Sequence, residues 1–273
     1  MSSYRVFRAH SDRIEALDIQ ATSLDDATLQ TGHGVYAVLR IYPGPKALRV
    51  SAQLDRMRSS AALLDQPFPL SNQQMQTWMR QALAQVEFPT PRLRVTVLHD
   101  EPDTAIITVE DYQPPSVHLY EDGVRVQLVE TAREAARAKD SRFIETRQTF
   151  QRPSDVYESI LVNHAGYLLE GSSSNVYAVL DGQLRTADEG VLAGIARGIL
   201  LEAAPAVLPL RLEPIHRDDL PGLEAAMLSS TSRGLVPIVQ IDEQQIGDGR
   251  PAAIYRQLAA AYQAAFEAQL ELL

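Results

Sequence analysis

Residues 168–187 read LLEGSSSNVYAVLDGQLRTA, and this stretch decides the fold. Asp181-Gly182 separates the apolar run Tyr177–Leu180 from Gln183–Thr186. That dipeptide suits the positive backbone angles of a two-residue hairpin turn, so the segment reads as two paired strands. Ahead of it, EGSSSN at 170–175 is a tight loop of small polar residues set beside an apolar run. Working outward, strands are expected at 124–129, 156–163, 175–180, 208–212, 225–229 and 235–241. A helix is expected at 191–204 and an amphipathic one at 252–271.

The first half alternates in the same way. Strands are expected at 14–20 and 34–42, a turn at Pro43-Gly44-Pro45, and a short return at 47–50. Helical spacing follows over 52–65 (Leu54, Met57, Ala61, Leu64) and over 71–86 (Met75, Trp78, Met79, Leu83, Val86). Ser71-Asn72 caps the second helix, and Pro89 and Pro91 stop it. Strands resume at 92–99 and 104–110. YQPPS at 112–116 continues neither a helix nor a central strand, which makes it the expected linker. The chain therefore divides into two mixed α/β lobes, 1–116 and 117–273.

Composition narrows the function. The 273 residues carry a net charge of −10, which disfavours nucleic acid and anionic lipid as partners. There is no cysteine, so disulfides, thiolate metal sites and cysteine nucleophiles are excluded. No apolar run approaches the roughly 18 residues of a membrane span. MSSYRVFRAHSDRIEALDIQ lacks an apolar signal core, and a cytoplasmic location is expected. Of the 25 basic residues only two are lysines, Lys46 and Lys139. Any chemistry that needs a primary amine on a side chain must use one of these. Lys46 adjoins a proline turn and is expected to be exposed, which leaves Lys139, in AREAARAKDSRF, as the better candidate. On composition alone that stretch also reads as a solvated helix.

Three loops of one lobe combine glycine with small polar or apolar residues: EGSSSN at 170–175, LAGIAR at 192–197 and SSTSRG at 229–234. Runs of backbone N–H groups in such loops form anion sites, and LAGIAR also opens a helix whose dipole favours negative charge. Each alone is a turn; three together point to an anionic ligand. Glu170 lies between an apolar strand and a glycine turn, as a rim residue or facing a buried basic nitrogen. The six histidines have no metal-ligand spacing, and no metal is expected. No GxSxG, Walker or GxGxxG motif is present.

The order of these pieces resembles the fold-type-IV, pyridoxal-phosphate-dependent enzymes. That group includes branched-chain aminotransferases, D-amino acid aminotransferases and aminodeoxychorismate lyase. TGHGVYAVLRIY resembles the family's GDGVFE-type strand and QLDRMRSSAALL its HLxRLxxSAxxL helix. LLEGSSSNVYAVLDGQLRTA resembles the EGxxxNxF segment, VLAGIAR the LxGITR segment, LSSTSRGLVPI the TSTxxxxxPV segment and IGDGRPA the IGxGxPG segment. The resemblance implies a two-lobed fold: a smaller N-terminal α/β lobe and a larger C-terminal lobe with a pseudo-barrel. It also implies pyridoxal 5′-phosphate as cofactor.

By the same resemblance Lys139 is the Schiff-base lysine and proton shuttle. Glu170 pairs with the pyridine nitrogen. Arg56, the backbone N–H groups of Ile195 and Ala196, and Thr231 bind the phosphate, with Ser230 beside them. Ser174 and Asn175 complete the cofactor contacts, and Tyr36 and Ser232 lie on the substrate side. The substrate-facing positions depart from the pattern. Ile144 stands where branched-chain enzymes have a tyrosine, and Ala37 where the lyase has a threonine and the D-amino acid enzymes a glutamate. His33 replaces an acidic residue, Gln53 a histidine and Ala196 a threonine.

The expected activity is transfer of an amino group between an amino acid and a 2-oxo acid. The alternatives are aminodeoxychorismate lyase, releasing pyruvate and 4-aminobenzoate, and a non-catalytic shell of the same fold. The resemblance implies a homodimer. Leu24, Leu29, Val35 and Tyr36, in an expected loop and strand, together with the apolar stripe of the last helix, are the candidate contact surfaces.

Overall fold

The computed structural model describes residues 3–131 and 135–273. In chain order its first elements are β1 (Tyr4–His10), β2 (Arg13–Leu17), α1 (Leu24–Thr31), β3 (Gly34–Arg40), β4 (Lys46–Leu48), α2 (Val50–Leu63), α3 (Asn72–Leu83), β5 (Pro91–Leu98) and β6 (Thr104–Asp111). Then come α4 (His118–Asp122), β7 (Val124–Glu130), α5 (Phe143–Gln148), β8 (Glu158–Val162), β9 (Leu168–Gly171), β10 (Asn175–Leu180) and β11 (Gln183–Arg185). The last are α6 (Ile195–Ala203), β12 (Leu210–Arg211), β13 (Ala225–Ser230), β14 (Gly234–Ile241), β15 (Gln244–Gln245), α7 (Ala253–Glu267) and β16 (Leu270–Leu272). Two compact units result. One comprises 1–113, 137–146 and 269–273, the other 114–136 and 147–268.

The first unit is an antiparallel sheet in the order β2-β1-β6-β5-β3, backed by helices. Every second residue of its strands (Val35, Ala37 and Leu39; Leu93, Val95 and Val97; Ala105, Ile107 and Val109) packs into one core with Leu54 and Met57 of α2 and Met75 and Trp78 of α3. This is the period-two pattern of a sheet with one face on a helical layer. Burying each large side chain contributes roughly 1.5–3 kcal/mol. The opposite face carries Val6 and Ile106 with Ala27 of α1.

In the second unit, β7, β8, β9, β10, β13 and β14 close into a six-stranded barrel. Asn175 of β10 opposite Glu170 of β9 is the closing pair. Alternate residues (Val124 and Val126, Ile160 and Val162, Val176 and Ala178, Ala226 and Leu228, Val236 and Ile238) form a single cluster, the filled interior of a small barrel. The expected hairpin is there, with Leu180 opposite Gln183 across Asp181-Gly182.

Several elements differ from the sequence reading. Residues 24–31, expected as a loop, form α1, because Ser23 caps the helix by accepting from Asp26 N–H at 2.9 Å. The helix expected over 252–271 ends at Glu267, and Leu270–Leu272 pair with β4. The helix expected from 191 starts at Ile195. β1 was not expected at all, and β9 only as the apolar strand leading to Glu170. Of the candidate contact surface, Leu24, Val35 and Tyr36 are buried within their own unit and only Leu29 is exposed. Of the expected stripe of the last helix (Ile254, Leu258, Ala261, Tyr262, Ala265, Leu270 and Leu272), Leu258 and Tyr262 are buried, Ile254, Ala261, Ala265 and Leu270 are partly buried and Leu272 is exposed; α7 packs on α6, β13 and β14.

Candidate active site

In the first unit, residues 139–140 are not helical and lie antiparallel along the outer edge of β3, with Asp140 in a bridge to Val35 and Ser141 opening a turn. Tyr36 N–H donates to Lys139 C=O at 3.1 Å, and Ser141 N–H donates to Gly34 C=O at 3.0 Å. Asp140 lies opposite Val35. The first residues of AREAARAKDSRF, 132–134, lie outside the described residues. The half-buried Lys139 projects over the Tyr36 ring, its Nζ 4.9 Å from the centroid. The Arg94 guanidinium stands 4.6 Å from the same ring. Arg94 is itself held by Leu24 C=O, Thr28 Oγ1 and Asp25 Oδ1 of α1.

Arg56 lies one turn before Ser60 on α2. The buried Ser60 hydroxyl donates to Arg56 C=O at 2.8 Å and accepts from Lys139 N–H at 2.9 Å. One side chain thus joins the helix turn of Arg56 to the backbone of Lys139. The first unit brings Tyr36, Arg56 and Lys139 together.

In the second unit, the barrel-closing pair grips the approach to α6. Leu192 N–H donates to Glu170 Oε2 at 2.9 Å, and Asn175 Nδ2 donates to Leu192 C=O at 2.9 Å. Glu170 and Asn175 are both buried, which settles Glu170 as an interior carboxylate and not a rim residue. A Cβ at Gly194 would collide with Asn175 Oδ1, so the glycine of LAGIAR permits this close approach. Gly194 caps α6 with no side-chain hydrogen bond. Gly194 has no side chain with which to cap the first-turn N–H groups of Ile195 and Ala196, the kind of helix start that suits an anion.

α6 packs on β13, whose end carries Ser230, with Thr231 and Ser232 in the turn to β14. Ser174 is directed elsewhere, because its hydroxyl donates to Glu158 Oε1 at 2.9 Å. Glu158 also accepts from Ser173 N–H and from Arg233 Nη1 at 3.0 Å. Burial opposes the charge on Arg233, but Glu158 and Tyr157 beside it together outweigh burial and keep the guanidinium charged. Arg233 further donates to Ser230 Oγ and Ser173 C=O. This buried ion pair ties the 172–174 loop to the 230–234 turn. Gly171 belongs to the same arrangement, since a Cβ there would meet Ser174 Oγ and Glu158 Oε1.

Sequence reasoning missed Ser60, Arg94, Glu158 and Arg233. Ser60 lies inside the quoted QLDRMRSSAALL and Arg233 inside SSTSRG, but nothing local marks their partners. Among the described residues no cluster could hold a metal ion, and no helix is long and apolar enough to cross a membrane.

Taken unit by unit, the groups fit parts of a phosphorylated pyridine aldehyde: in the second unit a buried carboxylate suits a ring nitrogen and a helix start without a side-chain cap suits a phosphate, and in the first unit the Lys139 amine suits an aldehyde. Comparison with known proteins agrees. The amino-transferase class IV family model matches residues 34–241. A D-alanine aminotransferase of Listeria innocua is 26% identical over 91% of this chain and 92% of its own. A branched-chain-amino-acid aminotransferase of Pseudomonas aeruginosa is 23% identical over 86% of this chain and 84% of its own. The solved structure of a T.th. branched-chain amino acid aminotransferase with pyridoxamine 5′-phosphate shares the fold, with a TM-score of 0.81 at 18% identity over 97% of each chain.

Proposed function

The chain belongs to the class IV amino-transferase family, whose members depend on pyridoxal 5′-phosphate, and from that premise we propose how its residues carry out the transfer of an amino group between an amino acid and a 2-oxo acid. The observation that carries the reading is the family match over 34–241, a span that contains Lys139, Glu170, Ile195 and Thr231.

When bound, the cofactor supplies an electron sink that acidifies the substrate Cα–H. Lys139 is the amine that carries the cofactor and moves the proton to and from the substrate Cα. Glu170 holds a proton at the pyridine nitrogen, a role suited to a buried carboxylate. By the family resemblance the phosphate would be held by the Arg56 guanidinium, the Ile195 and Ala196 N–H groups and Thr231, with Ser230 beside it. Asn175 acts by fixing Leu192 ahead of α6. Ser174 contributes through Glu158. Tyr36 and Ser232 face the substrate.

The reading extends to a cytoplasmic homodimer, which the family resemblance and the cysteine-free, acidic composition support. The test is incubation with a panel of amino acids, including D-alanine and branched-chain L-amino acids, plus 2-oxoglutarate. New glutamate is expected. Release of 4-aminobenzoate from aminodeoxychorismate, with no glutamate from any donor, would replace the reading with the lyase.

A further inference from the structure

The segment that carries Lys139 is held by a short ladder. Two backbone hydrogen bonds flank the Val35–Asp140 pair, on the free edge of the terminal strand β3. In this register Lys139 lies opposite Tyr36, and Ser141 opposite Gly34. Side chains alternate along an extended segment, so Lys139 and Asp140 point to opposite faces. A slip of one residue would turn Lys139 away from the face that Tyr36 occupies. A ladder this short fixes its register only with help from side chains.

Two histidines supply that help. His99, just after β5, donates from Nε2 to Asp140 Oδ1 at 3.1 Å. Asp140 also accepts from Arg142 N–H at 3.0 Å and from Arg142 Nε at 2.6 Å. His33, just before β3, is bonded at Nδ1 to Ser141 Oγ (3.2 Å) and at Nε2 to Glu145 Oε1 (3.0 Å). The Glu145 carboxylate can only accept, so in a neutral His33 the ring proton lies on Nε2 and Nδ1 accepts from the Ser141 hydroxyl, whose oxygen also accepts from Gly34 N–H at 2.9 Å. His33 Nε2 then carries the proton that goes to Glu145. The two histidines are joined in turn, since His99 N–H donates to His33 C=O at 3.0 Å. Four successive points of the segment, at 139, 140, 141 and 145, are thereby tied to one end of the β3–β5 pair or to α2.

We infer that His99 and His33 are positioning residues for the Lys139 amine, a register latch that acts through Asp140, Ser141 and Glu145. This rests on the reading of Lys139 as the reactive amine. The latch stands at a departure from the family pattern, since His33 occupies a position where the family has an acidic residue.

The chain's two lysines make the test direct. The full chain, free of cofactor, is trace-acetylated with acetic anhydride from pH 7 to pH 10. The rate at Lys139 is read by peptide mass spectrometry relative to Lys46, an exposed internal reference. His99→Leu is expected to change the Lys139:Lys46 ratio by about threefold or more, the effect of half a unit in an amine's pKa. His99→Gln retains an N–H donor near the place of Nε2 and is expected to restore the wild-type ratio. A folded His99→Leu chain with the wild-type ratio at every pH would overturn the latch. If His99→Leu does not fold, the pair His33→Leu and His33→Gln asks the same question through Glu145, with the same deciding outcomes. Amino-group transfer is not read here. A histidine-dependent ratio in a chain that transfers no amino group leaves the latch standing and removes the proposed function. A histidine-independent ratio in an active enzyme does the reverse.

Discussion

Lys46 is exposed at the start of β4, whereas Lys139 has both its backbone N–H and its C=O bonded, to Ser60 and to Tyr36. Lys139→Ala is therefore expected to abolish both the visible absorption band of bound cofactor and amino-group transfer, while Lys46→Ala keeps both. Persistence of a borohydride-fixed adduct in Lys139→Ala would remove Lys139 from its role. Arg56→Ala should weaken cofactor binding about 10- to 100-fold, since a charge-assisted hydrogen bond contributes roughly 1.5–3 kcal/mol; equal rates of cofactor loss on dialysis would exclude Arg56 as a phosphate ligand. Asp140 adds a pH dependence. Burial works against its charge, but hydrogen bonds from His99 and Arg142 outweigh burial and hold its carboxyl well below the usual carboxylate range. A depressed folded value means the stabilisation is present above the unfolded value of about 3.9 and is lost as pH falls below it. The melting temperature of Asp140→Asn should thus lie below wild type at pH 7, and the gap should narrow in acid. A gap that stays constant down to pH 3 would show that the carboxylate's charge is not involved. At this scale the sequence named Lys139 by elimination between two lysines and by motif position. Ser60, 79 residues from Lys139, and His99, 41 residues from Asp140, were invisible because nothing local encodes a contact over such separations.

Among the elements, α6 depends on a glycine. Glu170 Oε2 and Asn175 Nδ2 grip Leu192, and Gly194 passes so close to Asn175 Oδ1 that a Cβ cannot fit. Gly194→Ala must either push Asn175 off Leu192 C=O or shift the start of α6. Both disturb the first-turn N–H groups proposed for the phosphate. The expected result is cofactor affinity reduced by about tenfold, the worth of a typical hydrogen bond, with circular dichroism unchanged. Unchanged affinity on absorbance titration would show that Ile195 and Ala196 do not contact the phosphate. The hairpin across Asp181-Gly182, the strand at 175–180 and the helices over 50–63 and 72–83 were legible because their patterns are local. β16 was not. Leu270–Leu272 continue the helical spacing of α7, and only their pairing with β4 makes them a strand. α1 was obscured by its polar composition, although Ser23 and Asp26 were the available capping signal.

At the scale of the whole molecule, the first unit is assembled from three separate stretches of chain, of which 137–146 carries Lys139 and 269–273 carries β16. Its expected extent, 1–116, came from the double proline of YQPPS, a local mark that says nothing of later stretches returning. The proposed dimer also belongs to this scale. Only part of the surface read from the sequence is left for it, because Leu24, Val35, Tyr36, Leu258 and Tyr262 are buried within their own units. The exposed large apolar side chains of the first unit, Leu29, Leu63 and Leu272, are 40%, 57% and 70% accessible and remain available to a partner. Each chain carries a charge of −10, so two copies repel at long range. Salt at about 0.1 M cuts that repulsion to a reach of roughly 10 Å. An obligate interface larger than about 2,000 Å², mostly apolar, keeps its attraction under the same conditions. Light scattering at micromolar concentration should therefore give close to twice 30.2 kDa, and raising the salt should tighten the association. Dissociation by salt would mean that opposite charges, not apolar surface, hold the pair. A fully active species of single-chain mass at every salt concentration would end the dimer proposal.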